Sequence, residues 1–176
     1  MSTLCEAFDY FENISSHEIS KRDTRIVTKM LKELSSHSSG GTFDFISLWR
    51  KGSKQITGFN TIKRHARPYS NIYPDFCGVH AELDVIKQSD KIDMTLNGGT
   101  MYVVGVSSRS SNTLLNTLPC AACARMLADN TNINYIVCYF NGKLTRFKMN
   151  SIKKYAEDFV IKESKNDWVL MNMLNA

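Results

Sequence analysis

The stretch INYIVCYFNGKLTRFKM, residues 133–149, consists of two strand-like runs joined by Asn141-Gly142. Asn-Gly between two such runs is a strong signal for a two-residue hairpin, because both residues tolerate a positive φ. The stretch therefore predicts that the last two strands of the chain are antiparallel neighbours, joined directly and without a crossover helix.

The residues before this hairpin alternate between strand-like and helical patterns. Strands are predicted at 43–49 and 55–60, and another at 100–106. Helices are predicted to open at His80 and at Pro119-Cys120, where proline suits the first turn because its missing N–H would be unpaired there anyway. A polar loop is expected at 107–116. A closing helix is expected to begin with Asn150 or Ser151 as its cap and to extend through Val160. The alternation indicates an α/β protein.

The first 35 or so residues read as helical, because apolar residues recur at intervals of three and four. Ser15 or Ser16 is expected to cap the second of these helices. The segment Ser35–Gly41 reads as a flexible break. We therefore expect one domain over residues 1–176, with a helical extension at 1–40, a core at 43–149, and a C-terminal helix and tail at 150–176.

Composition narrows the class of protein. The chain has 176 residues, 43% hydrophobic residues and a net charge of +5. It has no apolar run of about 18 residues that could cross a bilayer, and its N-terminus lacks the pattern of a signal peptide. Its five cysteines are an odd number, which argues against a closed disulfide framework. We expect a cytoplasmic protein with reduced thiols and no membrane association.

Two short motifs supply the chemistry, His80-Ala81-Glu82 and Pro119-Cys120-Ala121-Ala122-Cys123. Catalytic zinc takes three protein ligands and keeps one position open. His80, Cys120 and Cys123 provide that number, and the two cysteines, three positions apart at a helix start, can face one ion. The helix N-terminus also stabilises thiolates. The motifs therefore predict a Zn²⁺ site.

Glu82 lies two residues from the histidine and is predicted to have a different role. A carboxylate beside the metal can take a proton from the attacking water, pass it to a ring nitrogen, and later deliver one to the departing amine. The joint pattern H-x-E and P-C-x-x-C is that of the zinc-dependent nucleobase deaminases. A lone C-x-x-C is far less specific, since it also occurs in redox and structural zinc sites.

On these residues the chain resembles the cytidine deaminase superfamily over residues 43–149. The resemblance implies a three-layer α/β fold with a five-stranded mixed sheet between helices, zinc at two helix N-termini, and the last two strands as an antiparallel hairpin. It also implies that Asn60 contacts the sugar and that the backbone N–H of Ala81 faces the carbonyl of the substrate. The stretch 61–78 does not match ordinary cytidine deaminases and is similar to deaminase-like proteins that are often viral.

That stretch is the best candidate for substrate selection. Arg64, His65, Arg67 and Tyr69 could form a phosphate clamp with an aromatic ring stacked on the base or sugar, or they could belong to a solvated basic loop. Arg109, in the loop before the second motif, is a further candidate for substrate binding.

The leading hypothesis is hydrolytic deamination of a cytosine nucleoside or nucleotide to its uracil form, with release of ammonia. The direct hairpin favours it, because it resembles the branch that acts on free substrates. The alternative is a deaminase that acts on cytosine or adenine within single-stranded DNA or RNA, for which the net charge of +5 would be useful. A zinc-stabilised binding module is the third possibility. The resemblance also implies a homo-oligomer.

Overall fold

The computed structural model describes residues 17–62, 67, 69–72, 78–108 and 110–158. In chain order the elements are α1 (Lys21–Leu34), β1 (Phe43–Lys51), β2 (Lys54–Phe59), α2 (Tyr69–Ile72), α3 (Ala81–Lys91), β3 (Thr100–Ser107), β4 (Ser110–Leu114), α4 (Ala121–Asn130), β5 (Tyr135–Phe140), β6 (Lys143–Lys148) and α5 (Met149–Asp158). Within these ranges no helix combines the length and the apolar character needed to span a membrane.

The sheet has the strand order β2-β1-β3-β5-β6, with β3 and β5 parallel and the other neighbours antiparallel. This confirms the predicted mixed five-stranded sheet. A sixth, short strand was not predicted: β4 pairs antiparallel with β3 off the main path, across an irregularity between Val106 and Ser107. It lies in the stretch expected to be a polar loop, where its sequence, Ser-Ser-Asn-Thr-Leu, has little of the apolar alternation that marks a strand.

The hairpin between β5 and β6 is confirmed. Asn141 and Gly142 both have positive φ, 50° and 78°, as a two-residue turn of this kind requires. Phe140 pairs with Lys143 at the turn, and the register runs without interruption to the pair Tyr135 and Lys148.

The helices cover both faces of the sheet, which confirms the predicted three layers. On one face α1 packs its buried residues against strand residues; this cluster includes Ile26, Val27, Met30, Leu34, Ile46, Leu48, Tyr102, Val104 and Val137. On the other face α3, α4 and α5 contribute to a larger cluster that includes Trp49, Leu83, Met101, Met126, Ile136, Phe147 and Ile152. The first six residues of α3 are all buried, as expected of a helix enclosed on all sides.

Helix starts differ in detail from the sequence prediction. The N-cap of α1 is Ser20: its hydroxyl accepts from the Asp23 N–H at 3.1 Å, and the Asp23 carboxylate accepts from the Ser20 N–H at 3.1 Å. This reciprocal capping box satisfies two backbone donors at once. Ser15 and Ser16, the predicted caps, lie outside the described residues. Helix α5 begins at Met149 directly after β6, so Asn150 lies in its first turn and does not cap it.

Asp23 also stabilises the contact between α1 and the sheet. It is 2% exposed, its Oδ1 accepts from the Tyr102 hydroxyl at 2.7 Å, and the Arg146 guanidinium lies 3.8 Å away. Burial alone would raise the pKa of Asp23, but hydrogen bonds from Tyr102 and Ser20 and the charge of Arg146 outweigh it and hold the pKa below the ordinary 3.8.

We expect the Asp23→Asn variant to be less stable than wild type at neutral pH by about 1–3 kcal/mol, because a charged acceptor is lost. A lowered folded pKa means that the carboxylate stabilises the fold fully above the unfolded pKa and loses that contribution as the pH falls through the folded value. The difference in unfolding free energy, measured by urea denaturation, should therefore narrow below about pH 4. A difference that stays constant into that range would contradict the assignment.

Gly58 in β2 allows α3 to approach the sheet closely. A Cβ there would lie 2.6 Å from the Ala81 carbonyl oxygen and 2.7 Å from the Val85 nitrogen, both backbone atoms. The approach is reinforced by Asp84, whose Oδ2 accepts from the Phe59 N–H at 3.0 Å. The position of the N-terminus of α3 therefore depends on the absence of a side chain at residue 58.

We expect Gly58→Ala to destabilise the protein by about 1–3 kcal/mol, because backbone atoms of α3 cannot move aside without strain. Thermal unfolding measures the loss. Gly41→Ala is the matched control, since a Cβ there would meet the Ile62 side chain at an ordinary 3.5 Å. Equal melting temperatures for Gly58→Ala and wild type would show that α3 is not held as closely as described.

Candidate active site

Two helix N-termini bring the motifs together. His80 is the N-cap of α3 and Cys120 the N-cap of α4, both with extended backbone. The His80 side chain makes no capping hydrogen bond to its own helix, whereas the Cys120 sulfur accepts from the Cys123 N–H at 3.4 Å. Because an N-cap residue leaves the helical path, its side chain can turn across the helix end. The N-termini of α3 and α4 thus direct the ligand atoms of His80 and Cys120 to one point.

The three predicted ligands form one cluster. His80 Nδ1 lies 3.5 Å from Cys120 Sγ and 3.4 Å from Cys123 Sγ, and all three ligand atoms lie within 4.8 Å of one another. Zinc bonds of about 2.3 Å to sulfur and about 2.1 Å to nitrogen at a tetrahedral angle place those atoms about 3.6 Å apart. The donor set and its spacing therefore fit Zn²⁺.

The two cysteines differ in their electrostatics. The Cys123 thiol donates to the Cys120 sulfur and, together with the neighbouring His80, lowers the pKa of Cys120 well below its ordinary value. Burial raises the pKa of the Cys123 thiol. Cys120 is also the N-cap of α4, where the helix dipole favours the thiolate form that ligates a metal.

Glu82 lies beside the cluster without being part of it. It is 7% exposed, and its carboxyl group interacts with the Cys123 thiol. Burial, followed by the nearby Cys120 thiolate, raises the pKa of Glu82. Among the residues that the structure describes, the group able to hold a metal consists of His80, Cys120 and Cys123. A carboxyl group in this position can exchange protons with whatever occupies the pocket.

A pocket of about 160 Å³ opens onto His80 and Glu82. One wall of the pocket is formed by two apolar side chains of β1, Phe43 and Phe45. Ala81, at the start of α3, also lines the pocket. The other described lining residues are Ser39, Gly41, Thr42, Asn60, Thr61, Ile62, Gly78, Val79, Val103, Thr117 and Leu118. A pocket with apolar walls and a few polar groups is typical of a binding site for a small molecule.

Asn60 lines this pocket, but its carboxamide also contacts the end of β1. Its Oδ1 accepts from the Phe45 N–H at 2.8 Å, and its Nδ2 donates to the Phe43 carbonyl at 2.9 Å. The Asn60 carbonyl in turn bonds the His37 ring at 2.8 Å. The side chain is therefore held in one orientation at the pocket wall, and its second amide hydrogen is not engaged by these contacts.

The loop at residues 39–42, which we did not predict as part of the site, forms one side of the pocket. Ser39 is fully buried, its N–H donates to Asp44 Oδ1 at 2.8 Å, and its hydroxyl donates to the Phe43 carbonyl at 2.7 Å. The expected flexible break is thus a fixed loop at this point. The sequence did not indicate that this loop is ordered, because serines and glycines are common in flexible linkers as well as in ordered loops.

The structure does not bring the two described candidates, Arg67 and Tyr69, to the pocket. Tyr69 is buried, and its hydroxyl donates to Asp90 near the far end of α3. Arg67 is exposed, and neither residue is among those lining the pocket. Arg64, His65 and Arg109 lie outside the described residues.

Comparison with known proteins supports the fold. No family profile matches the chain, and no curated protein matches its sequence. Among solved structures it is similar to a cytidine deaminase from Burkholderia pseudomallei, with a TM-score of 0.51, 12% identity, and coverage of 76% of this chain and 96% of that one. It also matches a dCMP deaminase from cyanophage S-TIM5, with a TM-score of 0.41, 16% identity, and coverage of 67% and 82%. The chain has the cytidine deaminase fold.

Proposed function

We propose that the protein is a zinc-dependent hydrolase that deaminates a cytosine nucleoside or nucleotide to its uracil form and releases ammonia. The observation that carries the proposal is the convergence of His80, Cys120 and Cys123 at one point, with the buried Glu82 carboxyl beside them and a small pocket in front. Bound there, Zn²⁺ would supply an activated water as nucleophile.

Glu82 is proposed to move the protons of the reaction. Its carboxylate accepts a proton from the attacking water and passes it to the ring nitrogen next to the carbon under attack. After the oxygen has bonded to the ring carbon, the carboxylate takes the second proton from that oxygen and delivers it to the amine, so that the C–N bond breaks and ammonia leaves, not an amide anion. The raised pKa of Glu82 suits a group that both accepts and donates.

The pocket walls are proposed to position the ring. Ala81 is the first residue of α3, so its N–H has no acceptor within the helix and can donate to the carbonyl of the base. Phe43 and Phe45 confine the ring from the side of β1. The remaining amide hydrogen of Asn60 is available to a sugar hydroxyl.

A substrate panel tests the proposal. The zinc-loaded protein is incubated with cytidine, deoxycytidine, their mono- and triphosphates, adenosine, and single-stranded DNA and RNA oligonucleotides, and ammonia release is measured. Turnover of at least one free cytosine compound supports the proposal. Turnover confined to oligonucleotides favours the editing alternative. No turnover from fully zinc-loaded protein favours a non-enzymatic zinc module.

We further propose that the protein acts in the cytoplasm as a homo-oligomer. The apolar segment 168–174, which could serve such an interface or pack within its own chain, lies outside the described residues. Light scattering coupled to gel filtration gives the oligomeric state, and a monomer at micromolar concentration would contradict this part of the proposal.

A further inference from the structure

A second cleft lies at the opposite end of the sheet from the zinc pocket. Strand β1 begins at the pocket with Phe43 and ends in the cleft with Arg50 and Lys51. At about 3.3 Å per residue, the strand separates the two sites by roughly 20 Å. The cleft has a volume of about 350 Å³ and lies between the N-terminus of α1 and the sheet.

The cleft is strongly basic. Among the described residues, four cationic side chains line it, Arg22, Arg50, Lys51 and Arg146, against the single carboxylate of Asp23. The described lining therefore carries an excess of three positive charges. Like charges gathered in one cleft repel one another, and a bound anion would relieve their repulsion.

Three of these cations are not neutralised by acids. Lys51 Nζ donates to the Asn97 carbonyl at 2.9 Å, and Arg50 Nε donates to the Gly52 carbonyl at 3.3 Å. In the described part of the chain, no carboxylate lies within 4 Å of Arg22, Arg50 or Lys51; the ion pair present there joins Arg146 and Asp23. Carbonyl partners leave the full charge of each cation in place.

Asp23, the acid among the described residues of the cleft, already has a structural role. Asp23 accepts from the Ser20 N–H and the Tyr102 hydroxyl, and its 3.8 Å separation from Arg146 is longer than a hydrogen bond. The Arg146 guanidinium instead donates to Thr100 Oγ1 at 3.1 Å and lies over the Tyr135 ring. Arg146 is therefore held rigidly with part of its charge facing the cleft.

We propose that this cleft binds a small molecule carrying phosphate groups. Guanidinium groups match phosphate oxygens in pairs, and the first turn of α1 adds the positive end of a helix dipole. The concave shape between a helix and a sheet suits a compact ligand, whereas a single strand of nucleic acid is usually bound along an extended basic groove with aromatic stacking side chains. The inference does not depend on the proposed deamination.

Isothermal titration calorimetry with the full-length protein tests the proposal, using tripolyphosphate as the probe. Wild type is expected to bind one equivalent saturably and more weakly as salt increases. The double variant Arg22→Gln/Lys51→Gln should bind at least tenfold more weakly, because two exposed cations of the cleft are lost. The control, Lys153→Gln/Lys154→Gln, loses the same charge from exposed residues of α5 on the other face of the sheet and should bind as wild type does.

Far-UV circular dichroism and thermal unfolding verify that both variants fold. The proposal is overturned if wild type shows no saturable binding. If the cleft variant and the control variant weakened binding equally, the effect would be due to net charge alone, and the proposal would be overturned. Unchanged binding by the cleft variant would show that tripolyphosphate binds elsewhere on the protein, which would overturn it as well. If tripolyphosphate did not bind, but a single-stranded 20-mer bound wild type and bound the cleft variant more weakly, the ligand of the cleft would be nucleic acid and not a small molecule.

Discussion

Glu82→Gln is expected to lower the turnover rate by about 10²–10⁴-fold or more, the usual contribution of a positioned acid or base, while the zinc content stays at one per chain. Glutamine has nearly the same shape as glutamate but can neither accept the proton of the attacking water nor deliver one to the leaving amine. The Glu82 carboxyl is not part of the cluster of ligand atoms, so its replacement should not affect metal affinity strongly. Ammonia release and elemental analysis measure the two quantities.

Asp84→Asn is the matched control for this experiment. Asp84 lies on the same helix and is also buried, but its structural role is to accept a hydrogen bond from the Phe59 N–H. The asparagine carbonyl can still accept that bond, so turnover should remain within a few-fold of wild type. Full activity in Glu82→Gln, or an equal loss in both variants, would remove Glu82 from the chemistry.

Cys123→Ser is expected to abolish zinc binding at micromolar zinc and with it all measurable turnover. A serine hydroxyl remains protonated at neutral pH and is a poor zinc ligand, so the site keeps only His80 and Cys120. Zinc that binds only the folded state at a thousand times its dissociation constant stabilises that state by about 4 kcal/mol. Zinc should therefore raise the melting temperature of wild type and leave that of Cys123→Ser unchanged.

Cys138→Ala separates loss of a ligand from loss of a core thiol. Cys138 is fully buried in β5, and it is not a member of the ligand cluster. The variant should be less stable than wild type but should still bind one zinc and retain turnover. If zinc stabilised Cys123→Ser as strongly as wild type, the metal would have to bind elsewhere in the protein.

The parts of this fold that could be predicted are those encoded locally. Asn141-Gly142 specifies a turn through its own backbone preferences, and the spacing of Cys120 and Cys123 places two sulfurs at one helix start. Ser39 shows the limit, because its carbonyl accepts from the N–H of Ile62, which lies beyond β1 and β2 in the chain, in addition to its local bonds to Asp44 and Phe43. Tyr69 shows the same limit of prediction from sequence. An aromatic residue in a basic stretch suggested a contact with a ligand, but tertiary packing places Tyr69 against α3.

The cap of α1 was mispredicted for a related reason. Several serines precede the helix, and the sequence alone does not rank them. Ser20 is the cap because Asp23, three residues later, completes the reciprocal pair of hydrogen bonds and is then buried against Tyr102 on the sheet. The local signal is present in the sequence, but Asp23 is also held by Tyr102, which lies 79 residues away in the chain.

The loop at residues 39–42 and the proposed zinc ligands belong to separate parts of the chain. The ligands are fixed by two buried helix starts, whereas this wall of the pocket comes from a short segment before β1 that is held by the Asp44 carboxylate. Insertions or exchanges in that segment could alter which molecules fit without disturbing the reactive groups. A library of variants confined to residues 40–42 is therefore the natural starting point for changing which small molecules the pocket accepts.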